Sequence, residues 1–290
     1  MAVETGQGRQ SGAALSTPPL KKRLKRQLRR VPLILETKRA LRGLAHVGFR
    51  HKCNCCGWRL RAFVERGEFL GTSHDGYCPR CNAKARHRGL WLFLNEQGLL
   101  ANDRIRLLHV APWPKIAGLL SALENVEHVG VDIRPSPGVT MIGDVTSLPI
   151  EDKSFDAIVC VHVLEHVEDD KKAISELHRV LKPDGWAVIS VPMRMDRPTF
   201  EDPTITDPKD RERFFGESIH VRYYGTDFGL RLEAGGFEPR FHMGTDVDRE
   251  IRRLYGLRDN ENIFFCTKKV PAVETWREEN SGRGHIRHTS

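Results

Sequence analysis

From residue 105 onward the chain alternates between short apolar runs and helical stretches, and no other feature constrains its fold as much. The strand-like runs are IRLLHV (105–110), EHVGVDI (127–133), VTMIGD (139–144), FDAIVCVH (155–162), WAVISVP (186–192), FEPRFHM (237–243) and NIFFCTK (262–268). Helical stretches at 114–124, 168–181 and 224–235 separate several of them. Such alternation predicts a mainly parallel sheet with helices on both faces. Gly185 and Gly235–Gly236 are placed to stop the last two helices, and LKPDGW (181–186) reads as a turn. A chain of 290 residues can bury one large domain, or one domain plus a small module.

A small module is written upstream. Cys53 and Cys56 form one C-x-x-C unit and Cys78 and Cys81 a second, with 21 residues between the pairs. Two such knuckles can hold four thiolates tetrahedrally around Zn²⁺ at about 2.3 Å each. Four sulfurs leave no open position, so the expected zinc is structural, in a zinc ribbon over 51–83. Cys55 is the spare thiol. Seven cysteines, five of them clustered, argue against a disulfide framework and for a reducing compartment.

Charge is unevenly spread. The whole chain carries +8, yet residues 1–50 alone hold 12 Lys/Arg against 2 Asp/Glu, which leaves the rest slightly acidic. KKRLKRQLRR (21–30) is a basic arm suited to RNA phosphates or an anionic membrane surface, or simply a solvated face. Leu24, Leu28, Val31, Leu35 and Leu41 give this region an amphipathic look, and Pro32 is expected to break any helix there. Residues 1–20 and 270–290 read as disordered. No stretch approaches 18 apolar residues and the first 20 lack the apolar run of a secretory signal, so no transmembrane segment and a cytoplasmic location are expected.

A doubly wound sheet binds its ligand at the carboxyl ends of its strands. Three places there stand out: the loop beginning at Ala111 (Ala-Pro-Trp-Pro), the acidic end of the second strand at Asp132, and Gly143-Asp144-Val145. A carboxylate at Asp132 can accept two ribose hydroxyls, and one at Asp144 can accept an adenine amino group.

The stretch GDVTSLPIEDKSFDAIVCVHVLEHVEDDKKAISELHRVLKPDGWAVISVP resembles class I S-adenosylmethionine-dependent methyltransferases of the broad type 11 group. The likeness covers roughly residues 105–268, and with the cysteine pairs the layout is similar to bacterial methyltransferases with an N-terminal zinc ribbon. It implies an α/β fold: a Rossmann-like seven-stranded sheet with helices on both faces and an antiparallel last strand. It implies S-adenosylmethionine as cofactor, held by Ala111, Asp132, Ile133, Asp144, Val145 and His162, with Asp132 on the ribose and Asp144 on the adenine. One departure is plain. The first loop of such enzymes holds glycines, whereas here none occurs before Gly118.

The acceptor side follows the fourth strand. In HVLEH, His162, Glu165 and His166 would share one face if a helix opened there, and His220 follows the fifth strand. His166, His220 and Glu165 are the candidate catalytic residues, with one histidine taking a proton from the acceptor. The same set with His162 is adequate for a second divalent ion, and similar to the E-x-x-E-H pattern of some O-methyltransferases. The alternative is that these residues only pack beside the cofactor. Residues 193–224 form a long connection with Thr199, Glu201, Asp202, Arg211, Phe215, His220 and Arg222 as candidate acceptor contacts. Three functions are open at this stage: methylation of an oxygen on a small molecule or glycan, RNA methylation using the ribbon and basic arm, and a non-catalytic methyltransferase-like binding module.

Overall fold

The computed structural model describes residues 32–64, 76–102 and 104–269. The basic run 21–30 and both expected disordered ends lie outside these residues.

Pro32 opens helix α1 (Pro32–Ala45), and any helix that it would interrupt lies outside the described residues. At the first helical position its missing N–H is not needed and its fixed φ suits the turn. Strands β1 (Val47–Lys52) and β2 (Arg59–Leu60) then pair antiparallel beside the cysteine knuckles. Helix α2 (Ala85–Glu96) leads from the second knuckle to the sheet. Arg42 of α1 donates to Pro79 O and Trp58 Nε1 donates to Gly43 O, so α1 is pinned to both knuckles.

The sheet that follows contains β3 (Ile105–Val110), β4 (Val126–Asp132), β5 (Met141–Ile142), β6 (Phe155–Val161), β7 (Leu181–Ser190), β10 (Phe237–Met243) and β11 (Asn262–Lys268). Its order is β10-β11-β7-β6-β3-β4-β5, and β11 runs antiparallel to both neighbours. Helices α3 (Pro114–Leu120), α4 (Asp170–Val180) and α6 (Phe228–Ala234) connect the strands. The period of two divides the strands between two cores. Leu108, Val110, Ile158 and Cys160 face α4 and α6. Ile105, Leu107, Ala157 and Val159 face α2, α3 and the cysteine module. Each fully buried Leu or Phe there contributes roughly 1.5–3 kcal/mol.

LKPDGW is not a free turn. The polypeptide joins β7 directly at Leu181, with a bulge in its pairing to β6 between Phe155 and Ala157. Helix α4 therefore stops at Val180, ahead of Gly185. A Cβ at Gly185 would lie 2.8 Å from Asp156 O, so the glycine serves close strand approach.

One buried histidine belongs to this scaffold. His109 on β3 is 3% exposed and its Nδ1 lies 3.2 Å from His128 Nε2 on β4. Burial, with His128 second, pushes it down to about 3. The folded chain keeps the ring neutral where the unfolded chain, near 6.5, takes a proton. Its contribution is complete above pH about 6.5 and is lost as pH falls toward 3. Urea midpoints across that window will drop with pH, and His109→Leu will flatten the drop. An equally steep acid limb in the variant would show that other groups cause it.

Candidate active site

The register aligns the strand ends that matter. Val110 pairs with Val131 and Cys160, and Asp132 pairs with Ile142. Ala111, Asp132, the 143–145 turn and His162 therefore emerge side by side along one edge. Asp132 Oδ1 accepts from Arg134 N–H, and its second oxygen has no hydrogen bond among the described residues. Asp144 Oδ1 is taken by the N–H and hydroxyl of Thr146, which leaves Oδ2 for a partner. Val145 is buried under this turn, whereas Ile133 is 62% exposed.

The first loop solves its lack of glycine with strain. Ala111 adopts φ +46°, the left-handed region that glycine usually fills, while its N–H donates to Val131 O. The glycine has moved to the neighbouring strand: a Cβ at Gly130 would lie 1.9 Å from Gly138 O and 2.9 Å from Pro112. Pro112 is thereby wedged against β4 and the 133–140 return. His162 is also left-handed, at φ +55°, with its N–H donating to Ser190 O.

HVLEH does not open a helix. Leu164–His166 is a single 3₁₀ turn, Val167 is extended, and α4 begins only at Asp170 behind an Asp169 cap that accepts from Lys172 N–H. Left-handed His162 cannot begin a helix, and the carbonyls of Leu164, Val167 and Glu168 all turn to Arg222. Tight winding still gathers the three predicted side chains. Glu165 is 1% exposed; its Oε1 lies 3.2 Å from His162 Nδ1 and 3.9 Å from His166 Nε2. The His162 contact has ion-pair distance without hydrogen-bond alignment, and both Glu165 oxygens are buried without a hydrogen-bond partner. Burial pushes Glu165 up, but the His162 contact and the fields of His162 and His166 outweigh this and hold it below the usual carboxylate value. His220 arrives from the other side, because Val221 N–H donates to Glu165 O. Its ring lies 4.8 Å from that of His166. Burial lowers His220, so it is poised neutral.

Most other candidates from the long connection are structural. That connection holds β8 (Phe200–Glu201), α5 (Pro208–Phe215) and β9 (Arg222–Tyr223). Arg222, 4% exposed, also donates to Glu201. Glu201 pairs with Arg231, which pairs with Asp170, and Asp170 accepts from Tyr224 OH. Thr199 donates to Asp227, Asp202 accepts from Thr204, and Phe215 is fully buried. Arg211 donates to Ile205 O and reaches Glu168 at 3.3 Å. Of this group, His220 alone joins the Glu165 cluster.

The cysteine module meets the same edge. Cys53 Sγ lies 3.7 Å from Cys81 Sγ, and Cys56 Sγ 3.7 Å from Cys78 Sγ. A tetrahedral ion about 2.3 Å from each sulfur separates them by about 3.8 Å, so the four thiols fit Zn²⁺. Hydrogen bonding to neighbouring thiols, Cys55 first, pushes Cys53 up, while bonding from Cys53 holds Cys56 down. Two residues here escaped sequence reasoning. Arg88 is fully buried and donates to Ala83 O, Gly76 O, Tyr255 O and Gly256 O, with its guanidinium over Phe63. It ties the module to helix α7 (Arg249–Tyr255). His87, the third residue of α2, stacks 4.5 Å from Trp113 in the first loop. Burial holds it well below its ordinary value. Only the adjacency of R-H-R to the second knuckle hinted at either residue.

Residues 105–189 match the type 11 family described as "Methyltransferase domain". Over 181 residues the chain is 35% identical to an uncharacterized 37.1 kDa transposon protein of Streptomyces fradiae, covering 58% of this chain and 50% of that protein. Over 137 residues it is 30% identical to a probable S-adenosylmethionine-dependent methyltransferase of Mycolicibacterium smegmatis, covering 47% and 49%. It thus spans about half the length of the curated relatives it matches. The solved YcgJ protein of Bacillus subtilis is 20% identical, covering 63% of this chain and 95% of that one at a TM-score of 0.40. Residues 105–189, which carry the match to this methyltransferase domain, form β3 to β7 of a seven-stranded sheet whose β11 runs antiparallel to its neighbours.

Proposed function

We propose that the chain transfers a methyl group from S-adenosylmethionine to an oxygen of a small-molecule or glycan acceptor. The observation that carries this reading is the Glu165–His166–His220 cluster, which stands at the carboxyl end of β6 beside the cofactor edge. When bound, S-adenosylmethionine supplies a sulfonium-activated methyl group. The chain's own residues do the rest. Asp132 offers a free carboxylate oxygen for the ribose and Asp144 one for the adenine amino group. Ala111 and Pro112 bring the backbone of the first loop close. The Glu165–His166–His220 cluster stands where the acceptor's hydroxyl loses its proton as the new C–O bond forms and the methyl–sulfonium bond breaks. The held, left-handed Ala111 supports a working loop over a non-catalytic binding module. The zinc reading of the four cysteines rests on their fit to a tetrahedral ion, and a thiol-rich ligand set suits the cytoplasm. No helix among the described residues is long and apolar enough to cross a membrane.

Calorimetry with S-adenosylmethionine tests the first half. Asp132→Ala removes an acceptor of two ribose hydroxyls, each worth about 1–1.5 kcal/mol, so affinity will fall roughly 100-fold with folding intact. No binding by the unaltered chain would return it to the binding-module reading. Labelled methyl transfer to fractionated extract tests the second half. Label in the small-molecule pool supports the proposal, and label confined to RNA would replace it with the basic-arm reading.

A further inference from the structure

Glu165 poses a problem that the methyl-transfer reading does not solve. Its carboxylate is removed from water, and neither oxygen has a hydrogen-bond partner in the described structure. A buried anion left in that state costs several kcal/mol, so something must offset it. His166 and His220 give it no hydrogen bond. His220 Nδ1 lies 2.9 Å from Phe215 O and His166 Nδ1 lies 3.4 Å from Ile219 O. A carbonyl only accepts, so in each ring Nδ1 carries a proton and Nε2 is the nitrogen left to act as a ligand. His166 Nε2 faces the carboxylate at 3.9 Å, beyond hydrogen-bond reach. Apart from His162 Nδ1, 3.2 Å from Oε1, the groups that converge here are a carboxylate and two imidazole nitrogens, the donor set of a bound cation.

We propose that Glu165, His166 and His220 form a divalent transition-metal site, distinct from the four-cysteine cluster. One ligand atom from each of the three lies within 4.8 Å of the others. The two Nδ1–carbonyl contacts are the outer bonds that fix the tautomer and orientation of metal-binding histidines. Two imidazoles and one carboxylate suit Zn²⁺, Fe²⁺, Co²⁺ or Mn²⁺, and the nitrogen share disfavours Mg²⁺. Ligands about 2.1 Å from an ion stand about 3.0–3.4 Å apart, so the site closes by roughly 1 Å on loading. His166, the exposed member, has room for that movement. His162 has a different part. Its Nδ1 is already 3.2 Å from Oε1, so it positions the carboxylate and is not a ligand. Glu217, exposed, lies 3.7 Å from His220 Nε2 and can add an oxygen. Three protein ligands leave positions open, which deepens and rests on the methyltransferase reading: the acceptor is an oxygen compound that binds the ion directly and has its hydroxyl acidified there.

The test uses the full chain with its cysteine cluster first filled with zinc. Elemental analysis then gives metal per chain after dialysis against Co²⁺, and absorption spectra report the ligands. The expected result is one cobalt beyond the zinc, with weak d–d bands and no sulfur-to-cobalt charge-transfer band. His166→Asn and His220→Asn should each lower cobalt affinity at least 100-fold, while His162→Asn should change it less than tenfold. S-adenosylmethionine binding, measured in parallel, reports folding and the methyltransferase reading separately. Cofactor binding with no second metal would overturn the site alone, and cobalt binding without cofactor binding would overturn the methyltransferase reading alone. Cobalt uptake unchanged in both His166 and His220 variants would also sink the assignment.

Discussion

Cys78→Ser, or stripping of metal by a strong chelator, will unfold the amino-terminal half of the described chain and destabilise the sheet with it. The four thiols fit a structural zinc, whose apparent binding free energy is about 10–16 kcal/mol in small modules. A domain's whole stability is about 5–15 kcal/mol, so no other contact can replace the ion. The loss will not stay local. Cys53, Cys55, Leu60 and Cys78 share one core with Leu90, Leu94, Ile105 and Leu107. Arg88 spans from Ala83 O and Gly76 O to Tyr255 O and Gly256 O. If the module were an independent bead, calorimetric unfolding of the metal-free chain would keep the main transition in place. Retention of that transition within about 2 °C would refute the shared core.

Arg222→Ala is the second large effect, at about 3–5 kcal/mol. The guanidinium answers three carbonyls of the Leu164–Glu168 turn and the Glu201 carboxylate at once. Its removal leaves buried acceptors bare and Asp170 with one cation fewer. For a chain of this size the melting temperature will fall by roughly 10 °C. Hydrogen exchange will quicken at Leu164–Val167 before it does in β6. Arg222→Lys will recover only part of the loss, because one ammonium cannot span four acceptors. Uniform exchange across β6 and the turn would mean that Arg222 stabilises the domain without holding this loop.

The seven strands and the cysteine pairs were legible because their signals are periodic and local: apolar runs bounded by breakers, and thiols at ligand spacing. The place of Asp132 and Asp144 at the carboxyl edge was legible because they end such runs. What escaped depends on partners distant in sequence. Arg88 and Arg222 look like surface residues until the fold supplies the carbonyls they bind. HVLEH has helical spacing, yet the left-handed His162 and the claim of Arg222 on its carbonyls shorten it to a single turn. Its three side chains still meet, since a 3₁₀ turn brings residues three apart onto one face.

The stacked pair His87–Trp113 has a thermodynamic consequence. His87 belongs to the first turn after the second knuckle, its carbonyl faces Cys55 Sγ at 3.7 Å, and its ring rests on the loop that must receive the cofactor. If the four-cysteine cluster holds its ion and the strand edge its cofactor, His87 stands between Cys55, the neighbour of two ligands, and the first loop. By linkage, whatever factor the metal adds to cofactor affinity, the cofactor returns to metal affinity. On the proposed function, the supply of metal would then set how readily the methyl donor is taken up, and the donor in turn would slow the escape of the metal.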